Sequence, residues 1–295
     1  MLVRILGAAA GGGLPQWNCG CRNCQDARAG VIPSSGQSSL AVSADGRSWA
    51  ILNASPDLRV QLSQVSELAP QGLRGSPVAS VLVTNGDIDH VVGLLSLREA
   101  TPFTLFATKA IHEVLAQNPI FGAVNPDLVP RRAIEVGQPF ALLPGLQATV
   151  VPVPGKVPLY LEGEVVETDL IGEQTVGLRL EAGGKVLWYI PGCAHVPDDL
   201  LARLSEADAL FFDGTLWDDE EMIRMGAGVK TGRRMGHMPV SGADGSMARL
   251  SGLRARKVFI HMNNTNPLWQ PDGPERTEAA RAGWAVGADG MEMEV

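Results

Sequence analysis

Residues 84–90, with the sequence Thr84-Asn-Gly-Asp-Ile-Asp-His90, end one predicted strand and begin a predicted helix. The strand, residues 78–84, is rich in β-branched side chains, and the helix is expected over residues 90–99. Asp89 and His90 thus offer a carboxylate and an imidazole from a single turn at a strand end. Binding groups of sheet proteins concentrate in such turns, so this stretch predicts a site at the edge of a sheet.

Three more polar residues occupy comparable places elsewhere in the chain. Asp213 and His261 each follow a predicted buried strand, and His237 lies in a loop before a helix predicted over residues 241–250. A lone histidine is more often a hydrogen-bonded polar group than a ligand. Several histidines and aspartates at strand ends together favour a shared metal site.

The order of the predicted elements favours a mixed α/β domain with antiparallel strand pairs over a regular series of parallel units. The chain has 295 residues and a net charge of −8, so it lacks the basic surface that nucleic acid or an anionic membrane would attract. No apolar run approaches the roughly 18 residues that span a bilayer. We therefore expect a soluble protein of the reducing cytoplasm, with neither nucleic acid nor membrane as its partner.

The segment Cys19-Gly-Cys21-Arg-Asn-Cys24 places three thiols within six residues. A turn of this kind can direct all three at one tetrahedral ion, and thiolates favour zinc. A disulfide in so short a loop would be strained and would leave one thiol over. The cluster therefore predicts a structural zinc site that fixes the N-terminal loop, with a fourth ligand from elsewhere. Cys193 stands alone and is expected to be a buried thiol.

Residues 84–93 resemble the signature of the metallo-β-lactamase superfamily, Thr-His-x-His-x-Asp-His-x-x-Gly after a strand. Asp89, His90 and Gly93 match it, whereas Asn85 and Asp87 stand where the first two histidines belong. The cysteine loop after a glycine-rich turn is similar to the structural zinc site of the phosphodiesterase branch. The resemblance implies a single domain over residues 1–295. This would be an α/β (α+β) fold, a four-layer αββα sandwich of two mixed sheets flanked by helices, with a metal at one edge.

Seven blocks spread over the whole chain resemble, more specifically, a family of pyrroloquinoline quinone (PQQ) biosynthesis proteins within that superfamily. The blocks are residues 6–19, 53–57, 93–99, 212–217, 236–238, 261–267 and 289–291. The resemblance implies a role in PQQ biosynthesis through hydroxylation of the tyrosine ring of a cross-linked Glu-Tyr intermediate. The implied partners are this small-molecule precursor, O2 and, as candidates, other enzymes of the pathway.

The departures from the superfamily pattern affect one of its two metal sites. In hydrolytic relatives, that metal is bound by the first two histidines of the signature, a later histidine and a bridging aspartate. Here Asn85 and Asp87 replace those histidines, and a glycine takes the place of the aspartate. Asp89, His90 and His261 match ligands of the other site. Two histidines and one carboxylate form the ligand set of non-haem Fe(II) oxygenases, so we predict an active-site iron on these three residues.

Three other residues are candidates to assist at the iron site. His237 could act as a general acid/base or orient the substrate. Asp213 could orient a ligating imidazole or serve as a weak further ligand, and we count both residues as catalytic candidates. Asp87 could complete the set of metal ligands or only bond the backbone.

The remaining candidates concern the substrate, the zinc and one loop. Ser55, Asp57 and Arg98 could hold charged groups of the substrate, although helix capping and a surface ion pair explain them slightly better. Asn264 stands where the phosphodiesterase branch has a histidine, three residues after the last metal histidine. It is the candidate fourth zinc ligand, with water or another residue as alternatives. The mostly polar stretch 156–173 is a candidate flap over the site.

Two other functions fit the same residues. A single zinc held by Asp89, His90 and His261 could activate water for hydrolysis. A non-catalytic protein could instead carry finished PQQ or deliver it for export, and it would need no redox metal. Substitution of His90 or His261 separates these cases, because a carrier should keep its quinone binding whereas a hydroxylase should lose turnover.

Overall fold

The computed structural model describes every residue of the chain, from Met1 to Val295. Its fourteen strands form two sheets of seven. In chain order the strands are β1 (Leu2–Gly7), β2 (Ser39–Ser43), β3 (Trp49–Leu52), β4 (Val78–Leu82), β5 (Thr104–Thr108), β6 (Arg131–Ile134), β7 (Pro139–Leu143), β8 (Leu146–Pro152), β9 (Val176–Ala182), β10 (Lys185–Ile190), β11 (Ala209–Asp213), β12 (Arg256–Ile260), β13 (Trp284–Val286) and β14 (Glu292–Glu294).

The two sheets share one arrangement. The first has the order β14-β1-β2-β3-β4-β5-β6, and the second has the order β13-β12-β11-β10-β9-β8-β7. In each sheet the four strands β3 to β6, or β10 to β13, run parallel to one another. All other neighbours are antiparallel. The loops that follow the parallel strands β4, β10, β11 and β12 therefore have a common edge at which side chains can meet.

Short helices cover the outer faces of the sheets. In chain order they are α1 (Arg22–Arg28), α2 (Leu58–Gln64), α3 (Ile88–Val91), α4 (Lys109–Gln117), α5 (Asp198–Leu204), α6 (Glu221–Arg224), α7 (Ser246–Arg249) and α8 (Pro274–Arg281). Helices α2 and α4 contact the first sheet, and α8 contacts the second. This confirms the expected layers of two mixed sheets flanked by helices. No helix combines the length and the apolar character that a membrane crossing requires.

The strands are buried on both faces. In β2 and β3, Leu40 and Leu52 face the core between the two sheets, whereas Trp49 and Ile51 face the helices that cover the first sheet. Successive side chains of a strand point to opposite faces, so a strand covered on both sides has no polar face. This explains the unbroken apolar sequence of strands such as β3.

The helix expected over residues 90–99 is divided into two shorter elements. It begins earlier, as α3, and continues as a 3₁₀ turn over Val92–Leu97. Gly93 lies at this junction, where a Cβ atom would come within 2.0 Å of the carbonyl oxygen of Ser55. Only glycine allows so close an approach of two backbones, which gives a physical reason for the glycine of the superfamily signature.

The helix expected over residues 241–250 is also shorter, since only α7 forms. Gly242 has a φ of 83°, in the left-handed region, so the chain cannot be helical through this residue. A Cβ atom on Gly245 would lie 2.2 Å from the carbonyl oxygen of Ser241, which shows how tightly the preceding turn is closed.

Glu221, at the start of α6, provides a test of stability against pH. Its carboxylate is buried and accepts hydrogen bonds from the Trp217 backbone N–H, at 2.7 Å, and from the Thr265 hydroxyl. Burial raises the pKa of Glu221 to about 7. The pKa of Glu221 is therefore higher in the folded chain than in the unfolded chain, where it is about 4.3. Stability is highest below about pH 4.3, where the carboxyl is protonated in both states, and it falls as the pH rises to the pKa of the folded chain. We expect Glu221→Gln to be more stable than the wild type by roughly 3–4 kcal/mol at pH 8, and nearly equal at pH 4.

Urea denaturation of both chains at the two pH values measures this difference. Glu220→Gln is the matched control, since Glu220 precedes Glu221 in the chain and its side chain is exposed. A gain at pH 8 that persists unchanged at pH 4 would contradict the proposed titration of Glu221.

Candidate metal centre and cavity

A cavity of about 340 Å³ lies at the edge where the parallel strands end. Its walls are mostly glycines and polar side chains, which include Asn85, Asp89, His90, Thr215, His237 and His261. Ligand sites in proteins are usually lined by apolar side chains. The polar lining here therefore indicates a charged ligand or a metal ion.

Asp89, His90 and His261 meet in this cavity, as their positions at two strand ends predict. The Asp89 Oδ2 atom lies 3.1 Å from His261 Nε2 and 3.9 Å from His90 Nε2. The three donor atoms lie within 4.8 Å of one another, and His90 Nε2 is buried without a hydrogen-bond partner. A buried nitrogen without a partner is costly unless something binds it. The donor set and this nitrogen therefore fit a divalent transition-metal ion.

Asn85 fixes the orientation of the His90 ring. Its Oδ1 atom accepts a hydrogen bond from the Asp87 backbone N–H at 2.9 Å, which identifies this atom as the oxygen. The same oxygen lies 2.7 Å from His90 Nδ1, so this ring nitrogen carries the proton and Nε2 keeps its lone pair. Burial lowers the pKa of His90 to about 4, which keeps the ring neutral. The residue that replaces a signature histidine thus orients a neighbouring donor.

Thr215 fixes the orientation of the His261 ring. The Thr215 hydroxyl donates to Asp213 Oδ1 at 2.6 Å and lies 2.9 Å from His261 Nδ1. A hydroxyl that donates its only proton to Asp213 must accept from His261, so Nε2 of that ring is free to bind a metal. The backbone of His261 has a φ of 55°, a left-handed conformation that costs energy for a residue with a side chain.

We expect Thr215→Val to weaken metal binding at the Asp89–His90–His261 site by about 10- to 100-fold, because it removes the group that orients His261. Valine has nearly the shape of threonine, so the change tests the hydroxyl alone. Competition for Zn²⁺ with a chelator measures the affinity. Thr277→Val, an exposed threonine on α8, is the control; an equal loss in both variants would contradict the assignment.

Asp213 and His237 form a second unit beside the three donors. Asp213 is fully buried, and its Oδ2 atom lies 2.7 Å from His237 Nδ1 and 2.9 Å from the Cys193 backbone nitrogen. With Thr215 on the other oxygen, both oxygens of the carboxylate are engaged. Asp213, His237 and His261 could also hold an ion by distance alone. However, Asp213 does not line the cavity, and its two oxygens already have four hydrogen-bond partners. These contacts favour an orienting role for Asp213, toward His237, over the role of a further metal ligand.

Asp87 lines the cavity but is not grouped with the three metal donors. Its Oδ1 atom accepts a hydrogen bond from the backbone N–H of Leu159, at 3.3 Å. Burial raises the pKa of Asp87. Backbone bonding is one of the two roles that the sequence left open for Asp87, and its role as a metal ligand stays a prediction. It ties the stretch 156–173 to the cavity.

The cysteine cluster encloses the side chain of Asn264. The amide Nδ2 atom lies 3.1 Å from Cys19 Sγ, 3.6 Å from Cys21 Sγ and 3.3 Å from Cys24 Sγ. Rotation of the amide by half a turn exchanges its nitrogen and oxygen at little structural cost, and the oxygen could then act as a ligand. The Gln16 backbone N–H also points at Cys24 Sγ, at 3.3 Å. Three sulfurs around one amide fit a tetrahedral zinc ion.

The three substrate-binding candidates do not reach the cavity. The Ser55 hydroxyl donates to Gln61 and accepts from the Asp57 backbone, so it organises the start of α2. The Asp57 carboxylate accepts from the backbone and side chain of Gln37. Arg98 is exposed and pairs with Glu99. Each side chain serves its local backbone or the surface, which accounts for its sequence context without a substrate.

Several residues of the site were not predicted from the sequence. In the sequence Thr215 has no motif of its own beyond the block 212–217, and Asn85 stands out only as the replacement of a histidine. Their neighbours in the chain, Asp213 and Asp87, were the only local signal. A group of charged residues at the cavity mouth, namely Lys156, Glu162, Lys230 and Arg234, had no sequence signal, since they are distant in the chain.

Comparison with known proteins gives the relationships of the chain. The family model described as "Beta-lactamase superfamily domain" matches residues 48–262. "Coenzyme PQQ synthesis protein B" of Ruegeria pomeroyi is 67% identical over 293 residues, which cover 99% of each chain. The protein of the same name from Rhizobium meliloti is 54% identical, over 99% of this chain and 97% of that one. The crystal structure of Zn(2+)-bound PqqB from Methylobacterium extorquens is 50% identical and has a TM-score of 0.98 over 100% of both chains.

Proposed function

Because the chain belongs to the coenzyme PQQ synthesis protein B family of the beta-lactamase superfamily, we propose that it is a metal-dependent enzyme of PQQ biosynthesis. More specifically, we propose that it hydroxylates the tyrosine ring of a Glu-Tyr derived precursor with Fe(II) and O2. Its partners would be this small molecule and other proteins of the pathway. The observation that carries the proposal is the set of three converging donors, Asp89, His90 and His261.

This donor set favours an oxygenase over a dinuclear hydrolase. Two imidazoles and one carboxylate would hold one ion and leave other coordination positions open. A dinuclear hydrolase needs a second ion to hold both the attacking and the leaving oxygen. Asp213 is the carboxylate that lies close enough to His237 to share an ion with it, and its oxygens are already hydrogen bonded. Bound Fe(II) would supply redox chemistry with O2 at the open positions.

The protein residues around the donors would handle the substrate and its protons. The His237 ring lies stacked on His261, with centroids 5.2 Å apart, and lines the cavity. Asp213 holds the Nδ1 side of this ring, so the Nε2 side is left to exchange a proton with the substrate. We propose that His237 accepts the proton that leaves the tyrosine ring when oxygen has been added.

The cysteine cluster has a separate, structural role in this proposal. Cys19, Cys21 and Cys24 would bind zinc, with the side-chain oxygen of Asn264 as the fourth ligand. Four protein ligands leave no open position, as is typical of structural zinc. The crystal structure of a relative with bound Zn(2+) supports a metal requirement in the family.

Metal analysis combined with a turnover assay tests the proposal. The protein is purified without oxygen and its iron and zinc are quantified per chain. Fe(II), O2, a Glu-Tyr substrate and ascorbate as electron donor are then added, and formation of the catechol is followed by mass. We expect one zinc per chain and Fe(II)-dependent insertion of one oxygen atom.

The same experiment separates the other two functions. A mononuclear zinc hydrolase is favoured by the zinc-bound relative, and it would release a hydrolysis product with zinc and without O2. A carrier would turn over no substrate and would bind PQQ equally well after His90→Ala and His261→Ala. Either result would overturn the hydroxylase proposal.

A further inference from the structure

An ion cluster that includes none of the metal donors lies at the mouth of the cavity. The Glu162 carboxylate is within 3.0 Å of Lys156 Nζ, 3.2 Å of Arg234 Nη2 and 3.9 Å of Lys230 Nζ. The Glu162 side chain is only 9% exposed. Lys156, Lys230 and Arg234, here called the cation cluster, thus surround one carboxylate with three positive charges.

The cation cluster faces the place where a ligand would bind. Lys156 and Lys230 line the same cavity as the metal donors, as does Glu162. Arg234 Nη1 is buried and has no hydrogen-bond partner. A buried guanidinium nitrogen without an acceptor is uncommon, because the lost hydrogen bond costs free energy. The Glu162 Oε1 atom also lacks a hydrogen-bond partner, so the pairing of Glu162 with the cation cluster leaves one donor and one acceptor unmatched.

Glu162 lies on the segment of residues 156–173, which polar contacts hold over the cavity. The Tyr160 hydroxyl donates to the Gly86 carbonyl oxygen at 2.6 Å, and the Leu159 backbone N–H donates to Asp87. The apolar side chains of Leu159, Val165 and Ile171 are largely exposed. A segment that buries little apolar surface is displaced at low cost, since burial is the main stabilising term.

We propose that the cation cluster is the carboxylate-binding subsite of the cavity, and that the Glu162 carboxylate occupies it until a substrate carboxylate takes its place. The subsite proposal rests on the proposed function only for the identity of the substrate. A cross-linked Glu-Tyr adduct carries three carboxylates, each of the same chemical class as the Glu162 side chain that it would replace. Substrate entry would then release Glu162 and the segment around it, so that binding and opening of the cavity are coupled.

Isothermal titration of the metal-loaded protein with the dipeptide Glu-Tyr, and with its diamide, in which both carboxylates are neutral amides, tests the subsite. We expect Lys156→Met and Arg234→Gln each to weaken binding of the dipeptide by about tenfold, since each removes a charge-assisted hydrogen bond. Glu162→Gln should have the opposite effect and tighten binding several-fold, because the internal competitor is gone. Binding of the diamide should be nearly the same in all variants.

Arg233→Gln is the matched control, because Arg233 precedes Arg234 in the same turn and pairs instead with Asp244. Equal dipeptide affinity in Glu162→Gln and the wild type would overturn the proposal, as would an equal loss of diamide binding in the cation variants. The proposed reaction is tested independently of the subsite. If no catechol forms but the affinities follow the expected pattern, the subsite stands without the hydroxylase. If catechol forms but the substitutions change dipeptide and diamide binding equally, only the subsite proposal is wrong.

Discussion

His261→Ala is expected to lose the active-site metal, to keep the zinc bound by the cysteines, and to lower turnover by at least about a thousandfold. His261 supplies one of three donors, and a site reduced to Asp89 and His90 has too few protein ligands to hold an ion tightly. Metal catalysis contributes several kcal/mol, and each 1.4 kcal/mol corresponds to a factor of ten in rate. Metal content per chain and initial rates at saturating Fe(II) measure both effects.

His195→Ala provides the control, since it makes the same change at an exposed histidine outside the cavity. It should retain both metals and the wild-type rate. If His261→Ala bound two metals per chain and turned over normally, the three-donor site would be wrong. If it lost the metal but kept its rate, the metal would have no part in the reaction.

Cys24→Ser is expected to abolish zinc binding at the cysteine cluster and to lower the free energy of unfolding by about 4 kcal/mol or more, because loss of a structural metal is among the most destabilising changes. Cys24 is fully buried, and its sulfur lies beside those of Cys19 and Cys21. Asn264 follows His261 by three residues, so release of the zinc should also disturb the catalytic donors. Zinc content, urea denaturation and the rate together measure the effect.

Cys193→Ser is the comparison for the second prediction. The Cys193 thiol is also fully buried but donates to the His195 carbonyl oxygen, far from the cluster in the chain. Serine can keep that hydrogen bond, so this variant should retain its zinc and lose little stability. Wild-type zinc content in Cys24→Ser would refute the site. Normal stability after loss of the zinc would show that the metal is not structural.

The predictions from sequence were most successful where chemistry is local in the chain. The cysteines fall within six residues, and Asp89 and His90 are adjacent, so a single turn accounts for each group. His261 joins them through the resemblance, since it matches the late metal histidine of the superfamily, and its place at the end of a buried strand agrees with this. The layers of the fold followed from the resemblance, and the structure confirms them.

Side chains that act through contacts between distant segments could not be predicted in this way. The cation cluster joins Lys156 to Arg234 across a fold whose packing decides which loops meet. Thr215 matters through a hydroxyl proton, which a sequence pattern does not reveal. Conversely, Ser55 and Asp57 were candidates for substrate contact with helix capping slightly favoured, and both form hydrogen bonds with the local backbone. Residue type alone does not separate these two uses of a polar group.

The polar walls of the cavity have a consequence for the discovery of inhibitors. Apolar fragments would gain little there, because the cavity offers few hydrophobic side chains for them to cover. Useful affinity would have to come from anionic groups and from chelating groups, and attraction between charges weakens as ionic strength rises. A compound screen should therefore be run in dilute buffer and enriched in small polycarboxylates, for which a library chosen for lipophilicity would be a poor source.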